Sequence, residues 1–298
     1  MSKINHLTTS LVLITALLSA GCTDQKAQAV QTAATNFSMQ AKTAIENLHD
    51  LFESDIAASF PADEQSATDV LADFQNLGAA KVNAAGFSEI LKGPLVPGTS
   101  PAADDEFKKL AQEYATFSAM YRSLRAGRLF SRKAVADSEA VAVKLTVQMI
   151  RFAEHIRLAP YQLRARRVVL IAKINRALTI KDADARKAAL TDLAQQTIQL
   201  RNDENAANDN AIKQCLKAAA AGQAVIQGIR DYGKLSVGDI LGLVQDSLQF
   251  ASDIAGNKDV TSLLTHFKGV EDAISKDPHW SPMLNLDVTP VRGEKNGK

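Results

Sequence analysis

The sequence has few of the residues that build wide sheets or disulfide frameworks. Aromatic residues make up 5% of the 298 positions, and the chain has two cysteines and one tryptophan. A core with so few rings is typical of helices that pack through alanine and aliphatic side chains. Because 46% of the residues are hydrophobic and 22% are charged, the chain still has enough apolar material for a folded core and is not typical of a disordered protein.

The apolar run near the N-terminus is too short to cross a membrane. It covers residues 11–18, whereas a membrane-spanning helix needs roughly 20 apolar residues. Lys3 precedes this run, and the small residues Ser19, Ala20 and Gly21 follow it before Cys22. A charged start, a short apolar run and small residues at the end are typical of a cleavable signal peptide, which we predict at residues 1–21.

The end of this segment, Leu18-Ser19-Ala20-Gly21-Cys22, resembles the lipobox of bacterial lipoproteins. The match is confined to residues 1–22, and Ser19 stands where the family more often has leucine. The resemblance implies cleavage before Cys22, a diacylglyceryl thioether on its sulfur and a further acyl group on its new amine. Since each buried methylene contributes about 0.8 kcal/mol and more than one acyl chain is present, such a group anchors a protein stably in a bilayer.

The residue after the cysteine bears on which membrane is involved. In the enterobacterial lipoproteins an aspartate at this place keeps the protein on the inner membrane, whereas this chain has Thr23. The resemblance therefore implies a lipid anchor in the outer membrane, with the protein facing the periplasm or the cell exterior. The competing interpretation is a secreted protein whose signal peptide ends near a cysteine.

The rest of the chain is patterned as helix. Apolar residues recur mostly at three- and four-residue spacing, and no strand pattern of useful length is present. We predict an all-α fold, an elongated antiparallel helical bundle with two long coiled-coil-like helices. Its predicted parts are a lipidated tether at residues 22–36, a helical bundle domain at 37–276 and a flexible tail at 277–298.

The first long helix is predicted over residues 102–157. Ser100 and Pro101 form a typical helix start, and a seam of apolar residues then keeps one register as far as Ile156. A continuous helix of this length would measure about 80 Å. Arg128 and Ser131 interrupt the register, so a kink or a hairpin is the alternative. We favour the continuous helix.

The second long helix is predicted over residues 183–230, with Asp182 as its N-cap. Its middle, residues 201–210, is almost wholly polar, which fits either a solvated part of a rod or the tip of a loop. Further along lies Cys215, which we predict to be a buried small hydrophobic residue and not a reactive thiol.

No motif in the sequence indicates catalysis or a cofactor. The chain has no zinc-spaced cysteines, phosphate-binding loop, dinucleotide-binding glycine pattern or nucleophile elbow. Glu46 and His49 have the Glu-x-x-His spacing of di-metal helical bundles, but such a site needs a second pair. We therefore expect neither an enzyme nor a metal or cofactor site.

Charge is unevenly distributed along the chain. Residues 23–106 have 13 acidic and 4 basic side chains, whereas residues 122–181 have 14 basic and 3 acidic ones. The basic residues are densest around a short apolar stretch at residues 168–171; they are Arg157, Arg164, Arg166, Arg167, Lys173 and Arg176. Either the acidic and basic helices pack together and offset each other, or the basic segment binds an anionic surface such as phospholipid or an acidic protein.

These observations predict a membrane-anchored lipoprotein of the cell envelope that acts as a helical binding or scaffold protein. Its expected partners are the lipid bilayer, through acylated Cys22, and a further protein. Nucleic acid is disfavoured by the export signal. The alternative is a membrane-active, pore-forming type of helical protein that uses its basic amphipathic segment on anionic lipid.

Overall fold

The computed structural model describes residues 25–59, 105–125 and 132–285, apart from residues 233 and 258. Eight helices lie within these ranges: α1 (Gln25–Ser59), α2 (Asp105–Arg125), α3 (Arg132–Leu158), α4 (Arg164–Leu178), α5 (Ala183–Arg230), α6 (Val237–Gly256), α7 (Val260–Lys276) and α8 (Ser281–Leu284). The described part of the chain has no strand, so the all-α prediction is confirmed. The predicted signal peptide, Cys22, Thr23, the helix start at Ser100 and residues 286–298 lie outside the described residues.

The longest helix, α5, has the bounds that the sequence predicts. Its N-cap is Asp182, whose side chain accepts a hydrogen bond of 2.7 Å from the Ala185 N–H. With 48 residues it is about 70 Å long. Residues 201–210 are helical throughout, so the polar stretch is part of the long helix and not a loop tip.

Helices α1, α3 and α6 pack against α5 and form the main core with it. A hypothetical Cβ on Gly222 of α5 would lie 2.9 Å from Cζ of Phe37, which places the first third of α1 beside the last third of α5. At the end of the pair, Lys26 Nζ donates to the Tyr232 carbonyl at 3.5 Å. These contacts make α1 and α5 antiparallel. The core around α5 is named the body below.

The predicted tether differs from the structure over residues 25–36. These residues are the first turns of α1, and they are already packed against the body. The buried ones are Ala27, Ala29, Ala33, Ala34 and Asn36. The polar, alanine-rich composition of this stretch is typical of a linker. Alanine side chains are small, however, so alanines on one face of a helix allow close contact with a neighbouring helix.

The preferred prediction of one continuous helix over residues 102–157 is wrong. Two helices, α2 and α3, cover this range, and they lie side by side. Phe107 and Phe152 have ring centroids 5.8 Å apart, and Gln148 Nε2 donates to Glu106 Oε2 at 3.4 Å. These contacts require α2 and α3 to run antiparallel to each other, which one continuous helix cannot do.

The predicted flexible tail also differs from the structure over residues 277–285. Trp280, Met283 and Leu284 pack on the edge of the main core. The buried carboxylate of Glu139 on α3 accepts hydrogen bonds from Trp280 Nε1 at 2.8 Å and shares one with His279 Nε2 at 2.9 Å. The prolines in this segment disfavour a long helix. The short segment still packs on the core, because Glu139 holds Trp280 there.

Candidate binding surface

The basic segment predicted from the sequence forms one arm of a helical hairpin. Helix α4 carries five basic residues and no acidic one, and it packs against the first half of α5 and against α1. We name residues 164–200 the α4–α5 hairpin. Its interior is a small apolar cluster separate from the main core, with Leu163, Leu170, Ala177, Leu193 and Leu200.

Two polar side chains of α5 hold the linker that joins α3 to α4. Asn208 accepts from the Tyr161 N–H at 2.9 Å and donates to the Tyr161 carbonyl at 2.8 Å. One turn earlier on α5, Glu204 Oε1 accepts from the Leu163 N–H at 3.0 Å. Both α5 side chains are buried, so their hydrogen bonds satisfy backbone groups that water reaches poorly. The start of α4 is thereby fixed relative to α5.

Three of the six predicted binding residues form ion pairs within the fold. Arg157 Nη2 lies 2.7 Å from Glu154 Oε1, Arg166 Nη1 lies 3.3 Å from Asp203 Oδ2, and Arg167 binds both carboxylate oxygens of Glu204. The hydrogen bond to Glu204 raises the pKa of the Arg167 guanidinium above its ordinary value, and the one to Glu154 does the same for Arg157. Part of the basic charge is therefore offset locally.

The other three predicted residues are Lys173, Arg176 and Arg164. Lys173 is exposed and makes no ion pair with any residue in the described part of the chain. Arg176 lies in the last turn of α4, where its carbonyl accepts hydrogen bonds from Thr179. Arg164 is the first residue of α4, and its side chain lies outside the described residues. The six residues thus share a region but not one common role.

A groove of about 230 Å³ runs between α4 and α5 on the hairpin. Leu170 and Leu200 contribute its apolar floor, and Lys173, Gln196 and Gln199 line its sides. The groove is also lined by Asp203, which is held by Arg166 and by Gln199 Nε2 at 2.7 Å. Its one acidic side chain therefore already has two donors.

Apolar side chains are also exposed on the outer surface of α4. Ile171 and Leu178 are 55% and 56% exposed, and they are seven residues apart, which places them on one face of the helix. The loop and the start of α5 beyond them carry the exposed lysines Lys181 and Lys187. The hairpin therefore combines exposed apolar and cationic groups.

Sequence reasoning missed the linker-holding pair, although its signal was present. Glu204 and Asn208 follow Leu200 at four-residue steps, and Asn208 precedes Ala211 by three residues. They therefore continue the core-facing register of α5. Polar residues on such a register indicate buried hydrogen-bonding partners, whereas polar residues elsewhere on the helix indicate a solvated face.

The structure also describes the cysteine and the Glu-x-x-His pair that the sequence analysis considered. Cys215 is buried, and burial raises the pKa of its thiol to about 12. Glu46 is exposed and pairs with Lys42 at 3.4 Å, while the side chain of His49 lies outside the described residues. Among the described residues, no three or more histidine, cysteine or acidic side chains are placed to hold a metal ion. None of the described helices combines the length and apolarity required to cross a membrane.

The chain matches no protein-family model, no curated protein and no solved structure.

Proposed function

We propose that this chain is a lipid-anchored helical binding or scaffold protein of the bacterial outer membrane. The observation that carries the proposal is the small number of residues between Cys22, where the lipobox resemblance ends, and the folded body. Helix α1 begins at Gln25, three residues after Cys22, and its first buried residue is Ala27. Three residues span at most about 10 Å, so acyl chains on Cys22 would hold the body close to the bilayer.

The direction of α5 extends this argument. Because Lys26 bonds the Tyr232 carbonyl, the C-terminal end of α5 lies beside the start of α1 and hence near the proposed anchor. The other end of α5 is about 70 Å away and belongs to the α4–α5 hairpin. A bundle of this form supports a role in presenting a surface at a distance from its anchor. Its partner in this role is a protein that the hairpin binds.

Metabolic labelling tests the anchor. Cells grown with an alkyne fatty acid are expected to label the wild-type chain and the matched control Cys215→Ser, and to leave Cys22→Ser unlabelled. Cys215→Ser changes the other cysteine and leaves the lipobox intact. Equal labelling of Cys22→Ser and the wild type would refute the lipid anchor.

Membrane fractionation tests the location. The resemblance to lipoproteins implies that the wild-type chain sediments with the outer membrane, and that Thr23→Asp is retained in the inner membrane. The matched control Thr23→Asn has a side chain of similar size without the charge, and it is expected to remain in the outer membrane. A wild-type chain found in the inner membrane would contradict the proposed location.

A second candidate function is favoured by the exposed apolar residues Ile171 and Leu178 beside the cations of α4. Apolar and basic groups on one helix are typical of segments that insert into an anionic bilayer surface. Purified protein added to dye-loaded anionic vesicles distinguishes the two functions. A binding or scaffold protein releases no dye, whereas salt-sensitive dye release would support the membrane-active function.

A further inference from the structure

We propose that the groove of the α4–α5 hairpin docks an amphipathic helix of an acidic partner protein. This inference deepens the proposed binding function and rests on it. It names the surface that binds and the chemistry of the segment that is bound.

The groove is small for a small-molecule site and is lined by residues of two helices. Its volume of about 230 Å³ is below the range of about 300 Å³ and more that is usual for small-molecule pockets. It lies between two antiparallel helices over an apolar floor of Leu170 and Leu200. A third helix laid along such a groove places residues at i, i+3, i+4 and i+7 against the floor.

The charge of the hairpin favours an acidic occupant. Residues 164–204, the hairpin and the next turn of α5, have nine basic and five acidic side chains. Four of the five acids are occupied locally: Asp182 caps α5, Asp192 accepts from Gln196 Nε2 at 2.7 Å, and Asp203 and Glu204 pair with Arg166 and Arg167. Lys173, by contrast, stands beside the groove and has no acidic partner among the described residues. Carboxylates flanking the apolar face of a docked helix would pair with Lys173. Such charge complementarity increases the association rate and the specificity of binding.

The position of the groove along α5 favours a protein over the anchoring membrane. Gln196 and Gln199 line the groove, and about 30 residues of continuous helix separate them from Arg230. This stretch measures about 45 Å. The proposed anchor lies beside the Arg230 end of α5, so this length of helix separates the groove from the anchor.

Fluorescence anisotropy of a labelled synthetic peptide tests the proposal. The peptide is a three-heptad amphipathic helix with leucine at the a and d positions and glutamate at the others. Its counterpart carries lysine in place of glutamate. We expect the purified Cys22→Ser chain to bind the glutamate peptide and not the lysine peptide, with affinity that falls as salt is raised.

Variants of the chain locate the binding. Lys173→Glu is expected to weaken binding of the glutamate peptide by about tenfold or more, because it places a carboxylate beside the groove. Lys268→Glu makes the same change on an exposed residue of α7 in the body and is expected to leave binding unchanged. Circular dichroism of both variants checks that they are folded.

Three results would overturn the proposal: equal binding of the two peptides, unchanged binding by Lys173→Glu, or binding of anionic phospholipid vesicles without binding of the glutamate peptide. The last result would assign the hairpin to lipid. Because the assay uses a chain without the Cys22 thiol, a failure here leaves the fatty-acid labelling result standing, and a failure of labelling leaves peptide binding standing.

Discussion

The two halves of α5 have the same backbone conformation but different surroundings. Between residues 211 and 229 the helix has fourteen buried residues, most of which belong to the core of the body. Between residues 183 and 200 only Leu193 and Leu200 are buried, in the cluster shared with α4. Helical stability in proteins comes mainly from packing of an apolar face and less from propensity. The second half of α5 is therefore stabilised mainly by packing in the body. The first half, in the hairpin, has most of its side chains exposed and available for binding.

The largest expected difference comes from one substitution made in each half of α5. Leu216→Ala removes a fully buried side chain from the body and is expected to lower the free energy of unfolding by about 3–5 kcal/mol. Leu200→Ala removes a leucine from the hairpin cluster, at a cost of about 2 kcal/mol. Urea unfolding measures the global effect, and hydrogen exchange measures the local one.

Hydrogen exchange decides whether the two regions differ in stability. We expect Leu200→Ala to lose protection in residues 164–200 alone, and Leu216→Ala to lose protection throughout, because a small cluster opens locally before the main core does. Equal loss of protection in both regions for both variants would show that the hairpin and the body unfold as one unit.

Cys215 provides a second probe of the same comparison. In a Cys22→Ser background it is the sole thiol, and at pH 8 it is protonated because burial raises its pKa to about 12. Labelling by a thiol reagent therefore requires the body to open. We expect Leu216→Ala to increase the labelling rate by about 100-fold or more, since each 1.4 kcal/mol corresponds to a factor of about ten. Leu200→Ala is expected to label at the parent rate, and an equal acceleration would contradict the separation of the two regions.

The junction between the two regions is tested by Asn208→Ala. This change removes the hydrogen bonds to the N–H and carbonyl of Tyr161 and leaves both groups without their partner, at a cost of about 1–3 kcal/mol. Exposed Asn205 on the same helix provides the matched control Asn205→Ala, which is expected to change stability by less than about 0.5 kcal/mol. Thermal unfolding measures both, and equal melting temperatures would argue against the role of Asn208.

Two glycines provide the last comparison. A Cβ on Gly222 would collide with the buried Thr146 hydroxyl and approach Phe37, so Gly222→Ala is expected to destabilise the body by about 1–3 kcal/mol. Gly242, inside α6, has no atom within 4 Å of an added Cβ. Gly242→Ala is expected to stabilise the chain by about 0.5–1 kcal/mol through helix propensity. Chemical denaturation measures both, and destabilisation by Gly242→Ala would contradict the open space beside it.

Sequence reasoning predicted the features that depend on local chemistry. The predicted cap Asp182 accepts a hydrogen bond from a backbone N–H three residues later, as Ser236 and Asp259 also do at the starts of α6 and α7. The bounds of α5 follow from its cap and its apolar register. Both kinds of signal act over a few residues and require no knowledge of the partner helix.

The features that failed depend on contacts distant in sequence. An apolar seam from Phe107 to Ile156 is satisfied equally by one helix against a partner and by two helices folded on each other. Likewise, Glu139 anchors Trp280 across 141 positions, and Glu204 holds Leu163 across 41. Of the candidate surface, the sequence identified the basic residues but not which of them pair with acids in the fold.

The unbroken course of α5 has a mechanical consequence. Force applied at the hairpin would act along a single backbone, because α5 continues from Ala183 to Arg230 without a break. The contacts of Asn208 and Glu204 with the linker at residues 161–163 also resist movement of α4 away from α5. A displacement at one end of α5 would therefore reach its other end through one continuous helix.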